Sequence, residues 1–141
     1  MARTLHRGLA VSLAGLAALF LSGAGSVTAA DTGDSFVDDF TQFSKKRWYV
    51  SDGWTNGRHQ NCTWSAEQVT IADGMLRLSF VGRPTKDRAY ACGEIQTRQR
   101  FGYGIYEARM KAVRGPGFNT AFFTYIGPTD KQAWHEIDFE V

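Results

Sequence analysis

The sequence predicts an all-β fold, an antiparallel sandwich or barrel, preceded by a short helical leader. Three observations carry this. After Asp31 nearly every segment is a short run of β-branched, aromatic and apolar residues bounded by Gly, Pro, Asn or Asp. No segment there has apolar residues at helical spacing. The terminal octapeptide Trp134-His135-Glu136-Ile137-Asp138-Phe139-Glu140-Val141 alternates acidic and apolar residues with the period of a strand.

Arg3 and Arg7, an apolar run over residues 9–21 and the small residues around Ala29 and Ala30 have the layout of a secretory signal peptide. Cleavage is expected after Ala29 or Ala30, which divides the chain into a leader, 1–30, and a mature region, 31–141. The run is short and rich in Ala and Gly for a membrane span, and a retained anchor is the alternative. The expected location is therefore extracellular or periplasmic, with no membrane association after cleavage.

Export bears on Cys62 and Cys92, the two cysteines of the chain. An oxidising compartment favours their pairing over two free thiols. Asn61-Cys62-Thr63 fits a glycosylation sequon, which matters only in a eukaryotic host. No Cys/His spacing suggests a metal site. Without Arg3 and Arg7 the formal charge of +2 falls to zero, with 14 residues of each sign. A balanced chain has no electrostatic footprint for nucleic acid and suits a neutral polymer.

In the mature region, Val69-Thr70-Ile71, the turn Asp73-Gly74 and the run from Met75 to Phe80 read as a hairpin. Gly102-Tyr103-Gly104 lacks the third glycine and following helix of a nucleotide loop, and reads as a bend or bulge. Residues 105–111 alternate, with Tyr106, Ala108 and Met110 on one side and Glu107, Arg109 and Lys111 on the other. A Gly-rich loop leads to a strand over 119–126, and Gly127-Pro128 turns the chain into the terminal strand. That strand is expected to be half-buried through Ile137, Phe139 and Val141. Because it ends at Val141 with no return strand, the chain is expected to be a fragment of a larger β domain.

The other face of the terminal strand carries Glu136, Asp138 and Glu140, about 6.5 Å apart and mutually repulsive. A solvated face and a calcium site of carboxylate oxygens are the alternatives. Glycosidic bond cleavage is the chemistry that most often calls for paired carboxyls, one attacking the anomeric carbon and one protonating the leaving oxygen.

Several motifs, in this order, are similar to the N-terminal half of glycoside hydrolase family 16, in its lichenase-like and exopolysaccharide-trimming members. They are Asp52-Gly53-Trp54-Thr55-Asn56-Gly57, Asn61-Cys62-Thr63-Trp64, Cys92-Gly93-Glu94, Phe101-Gly102-Tyr103-Gly104-Ile105-Tyr106-Glu107, Phe122-Phe123-Thr124-Tyr125-Ile126-Gly127-Pro128 and Glu136-Ile137-Asp138-Phe139-Glu140. The resemblance implies a concanavalin A-like β-jelly-roll sandwich with a cleft across its concave sheet, and a retaining endo-β-glycanase acting on a β-linked polysaccharide. It implies Glu136 as nucleophile, Glu140 as acid/base and Asp138 as the carboxyl between them. Glu140 is expected to be the one held protonated by like-charge repulsion. Trp54, Asn56, Glu94, Phe123, Tyr125 and Trp134 match substrate contacts, while Trp64 and Phe122 read as packing residues.

The resemblance also implies a Cys62–Cys92 bridge. It requires no cofactor, although a structural calcium belongs to the complete fold and Gly74 matches one of its backbone ligands. Gln96 departs from the Arg usual in lichenases, so one glucan contact differs and an exopolysaccharide is an equal candidate substrate. The rival functions are a non-catalytic glycan-binding module and an inactive remnant. The sequence leaves oligomeric state open.

Overall fold

A computed structural model describes residues 33–141, so the leader sequence lies outside the described residues. The described chain is all-β with two single-turn 3-10 segments. Its strands are β1 (Trp48–Val50), β2 (Cys62–Trp64), β3 (Val69–Ala72), β4 (Met75–Leu78), β5 (Phe80–Val81), β6 (Tyr90–Cys92), β7 (Ile95–Thr97), β8 (Ala121–Ile126) and β9 (His135–Glu140). They pair as β1–β7, β2–β6–β5, β3–β4 and β8–β9.

The β3–β4 hairpin forms around the turn the sequence predicts, but its second strand ends at Leu78, and Phe80 pairs with Cys92 of β6 instead. Asp73 and Gly74 take φ of 55° and 67°, the doubly left-handed turn that matches strand twist. Asp tolerates this conformation and Gly adopts it freely, whereas a Cβ at the second position is strained. Gly74→Ala is expected to lower unfolding free energy by about 1 kcal/mol, read as a lower denaturant midpoint with unchanged slope.

The ladders are antiparallel with one exception. β2 and β6 run parallel, with Cys62 opposite Tyr90 and Trp64 opposite Cys92. The long connection between them carries the β3–β4 hairpin, and such a crossover is what parallel pairing requires. The Cys62–Cys92 disulfide spans this pair with a Cα–Cα distance of 5.8 Å. Gln60 points its side-chain amide at both sulfurs, 3.3 and 3.6 Å away. Cys62, Cys92 and Ala91 are the buried apolar residues of the described chain, so its centre lies at this bridge.

An N-terminal strap is tied onto β1 through Asp38. Its carboxylate accepts from the Arg47 guanidinium at 2.8 Å, the Trp48 indole N–H at 2.8 Å and the Phe40 amide at 3.0 Å. Phe36 packs edge-on to Trp48 and against Phe101, with Arg47 over its ring. Desolvation pushes the Asp38 carboxyl up, but the Trp48, Phe40 and Arg47 donors and the Arg47 charge outweigh it and hold it below the ordinary 3.8. A depressed carboxyl stabilises the fold above its unfolded-state value and loses that contribution as pH falls through the native one. Acid unfolding of wild type should therefore be steeper below about pH 4 than that of Asp38→Asn, measured by tryptophan fluorescence against pH.

Two expectations need correction. Residues 105–111 form no strand. Alternation defines two faces but supplies no neighbour, and this segment has no ladder partner among the described residues; Ile105 stays 90% exposed. Nor is β9 half-buried. Ile137 and Phe139 remain 66% and 61% exposed, because no layer covers the apolar side of β8–β9 among the described residues. Phe122 is half-buried by stacking on Phe139 across that side, with ring centroids 6.3 Å apart.

Candidate active site

The β8–β9 hairpin builds the site. Antiparallel register sets Tyr125 opposite Glu136, Phe123 opposite Asp138 and Ala121 opposite Glu140. Residues directly opposite share a face, so the three carboxyls, Phe123 and Tyr125 form one surface while Ile137 and Phe139 point to the other. This surface is open: Tyr125 is 49% and Trp134 66% exposed.

Each outer carboxyl is held through one oxygen. The Trp134 indole N–H donates to Glu136 Oε2 at 3.0 Å, placing the tryptophan beside the predicted nucleophile. The Asn119 side-chain amide donates to Glu140 Oε1 at 2.7 Å. Sequence reasoning missed Asn119, although its parity with Ala121, Phe123 and Tyr125 was the available signal. Tyr125 leans across Gly127 so closely that a Cβ there would meet its ring, and glycine is what lets the ring lie at this end of the surface.

The Asp138 carboxyl is pushed up from its ordinary value. Partial desolvation is the larger cause, followed by the charges of Glu136 and then Glu140. The middle position has a like charge on each side.

The remaining candidates form two other clusters. Trp54 lies edge-on to half-buried Trp64 at 6.2 Å, and the Trp64 indole N–H points to Asn56 Oδ1 at 3.5 Å. The Asn56 amide is held by the Gln60 side chain, and Arg88 secures the loop by donating to the carbonyls of Gly57 and Gln60. Glu94 is buried just before β7, accepting from the Ser51 hydroxyl and, at 3.0 Å, from the Gln96 amide. The departure at Gln96 thus has a direct effect: a neutral amide, and no guanidinium, faces this carboxyl. Among the described residues no hydrogen bond or aromatic contact joins these clusters to the acidic row.

No group of three acidic, histidine or cysteine side chains placed to hold a metal occurs among the described residues. The Asp73 carboxylate beside Gly74 is engaged by Arg77. No chemical step is assigned to a metal.

The fold and this carboxyl row define a class. Residues 56–141 match the family model of glycosyl hydrolases family 16, and the chain belongs to that family. Among individual proteins, it is 63% identical over 107 residues to the endo-1,3-1,4-beta-glycanase ExoK of Rhizobium meliloti, covering 76% of this chain and 40% of that protein. It is 41% identical over 116 residues to a beta-glucanase of Bacillus subtilis, covering 82% and 47% of the two chains. The Bacillus licheniformis beta-glucanase structure superposes with a TM-score of 0.72 at 42% identity, over 77% of this chain and 50% of that one. A lichenase from a mouse hindgut metagenome gives 0.69 at 42% identity, over 72% and 48%. The chain thus spans about half the length of the relatives it matches, and its described part has the all-β architecture of these lichenases.

Proposed function

We propose that this chain carries the catalytic strand of an exported, endo-acting β-glycanase that cleaves a β-linked polysaccharide with retention of configuration. The observation that carries the reading is the single face bearing Glu136, Asp138 and Glu140 opposite Tyr125, Phe123 and Ala121. Glu136 carboxylate attacks the anomeric carbon while Glu140 gives its proton to the departing glycosidic oxygen, so the C–O bond breaks and a glycosyl ester forms. Glu140 then takes a proton from water, whose oxygen attacks the same carbon and releases Glu136.

The Cα atoms of Glu136 and Glu140 are about 13 Å apart along a strand, and retention needs carboxyls about 5–5.5 Å apart. The mechanism requires the two long side chains to converge over the twisted strand around bound substrate. Asp138 lies between them, its carboxyl pushed up by partial desolvation and by the charges of Glu136 and Glu140. Trp134, Tyr125 and Phe123 offer flat surfaces to pyranose rings, and Trp54, Asn56 and Glu94 serve as further sugar contacts. The polymer is a mixed-linkage β-glucan or an exopolysaccharide of similar linkage, by likeness to the named relatives. Export rests on the leader sequence and is in keeping with the disulfide.

The test is incubation with barley β-glucan and succinoglycan. Release of reducing ends as the β-anomer, seen by proton NMR before mutarotation, supports the reading. Tight binding to both polymers without turnover would assign a binding module instead.

A further inference from the structure

We propose that Asn119 is a positioning residue that fixes which oxygen of Glu140 carries the transferable proton. The inference rests on Glu140 being the acid/base of the proposed reaction. Asn119 lies two residues before Ala121, with the parity of the surface that bears the carboxyls. Thr120 and Val141 exchange backbone hydrogen bonds of 3.3 and 3.0 Å, which carries the β8–β9 ladder one pair beyond Ala121 and Glu140. Asn119 therefore stands diagonally across from Glu140, and its Nδ2 reaches Oε1 at 2.7 Å. The segment entering β8 is anchored as well, since Thr120 Oγ1 accepts from the Val113 amide at 3.3 Å.

A side-chain NH₂ can donate but cannot accept. In a protonated carboxyl the carbonyl oxygen is the stronger acceptor, so the amide facing Oε1 favours the form with the hydroxyl on Oε2. Asn119 keeps its bond to Oε1 while Oε2 first gives its proton to the leaving oxygen and then takes one from water. Asp138 is the titratable neighbour on the same strand. Lys111 and Arg114 line the hollow beside Val141, and neither forms an ion pair with Glu140. Trp134 holds Glu136 through one oxygen in the same manner, leaving the other free to attack.

The test compares wild type, Asn119→Leu and Glu140→Gln on two substrates. On β-glucan, Asn119→Leu should lower kcat roughly tenfold or more with KM changed less than about twofold. On a dinitrophenyl β-glycoside, whose leaving group needs no proton, formation of the glycosyl-enzyme should proceed at the wild-type rate. Equal losses on both substrates, or no loss on glucan, would overturn the proposal. Full glucan turnover by Glu140→Gln would instead overturn the assignment of the acid. An activity-free measurement stands beside these: the Asn119 side-chain ¹⁵N–¹H signals of the labelled chain should shift on Glu140→Gln. Unchanged signals would also sink the inference, whether or not the wild-type chain hydrolyses glucan.

Discussion

Glu136→Gln is expected to reduce glucan hydrolysis by about 10⁴-fold or more while leaving the fold intact, because it removes the attacking oxygen and keeps the side-chain shape. Exposure makes the variant well tolerated: Glu136 sits on the open surface, and its one described partner, the Trp134 indole, can still donate to the glutamine oxygen, though without charge assistance. The role can be separated from that of Glu140 by rescue. In Glu136→Ala, azide should enter from the vacated side and give an α-glycosyl azide. In Glu140→Ala it should replace water in the second step and give the β product. Wild-type rates for Glu136→Gln in a reducing-end assay would remove the basis of the proposed mechanism.

Loss of the disulfide should have the largest effect on stability. The bridge closes a separation of 30 residues. Removing such a link from a small domain costs about 2–5 kcal/mol, through a less constrained unfolded chain in the loop-entropy account. The upper part of that range applies here, because the buried apolar residues are the two half-cystines and Ala91. The parallel β2–β6 pair has three positions and depends on the same link. Paired Cys62→Ser and Cys92→Ser substitutions, or dithiothreitol alone, should move the urea midpoint sharply downward. An unmoved midpoint would show that the ladders stand without the bridge.

How far the sequence could be read depended on how local each signal was. The β3–β4 hairpin was legible because its turn residues and both flanking runs lie together, and left-handed φ at Asp73 and Gly74 is a local requirement. β8 and β9 were legible for the same reason, alternation on either side of Gly127-Pro128. The parallel β2–β6 pairing was not, since three-residue strands separated by a hairpin carry no mark of orientation. Residues 105–111 show the converse limit: their pattern specifies faces, but a strand exists only where another backbone meets its amides.

The candidate site divides along the same line. Periodicity alone put the three carboxyls on one face, whereas the placing of Phe123 and Tyr125 across from them is set by the β8–β9 register. The positions of Trp54, Asn56 and Glu94 came from family likeness, and no local pattern predicted that Ser51 and Gln96 would hold Glu94. The hydrogen bond from Asn119 to Glu140 crosses strands diagonally, and a residue just outside a strand's regular run offers little to single it out. The raised carboxyl at Asp138 owes most to partial desolvation, which residue spacing does not reveal, and less to the like charges on both sides.

The side of β8–β9 left uncovered among the described residues also bears on how the chain behaves in bulk. Its rim presents unbonded peptide groups beside Ile137 and Phe139, the kind of template to which another extended backbone adds readily. With a formal charge of +2, long-range repulsion does little to keep copies apart. At high concentration this hairpin margin is therefore one place where copies of the chain can add to one another.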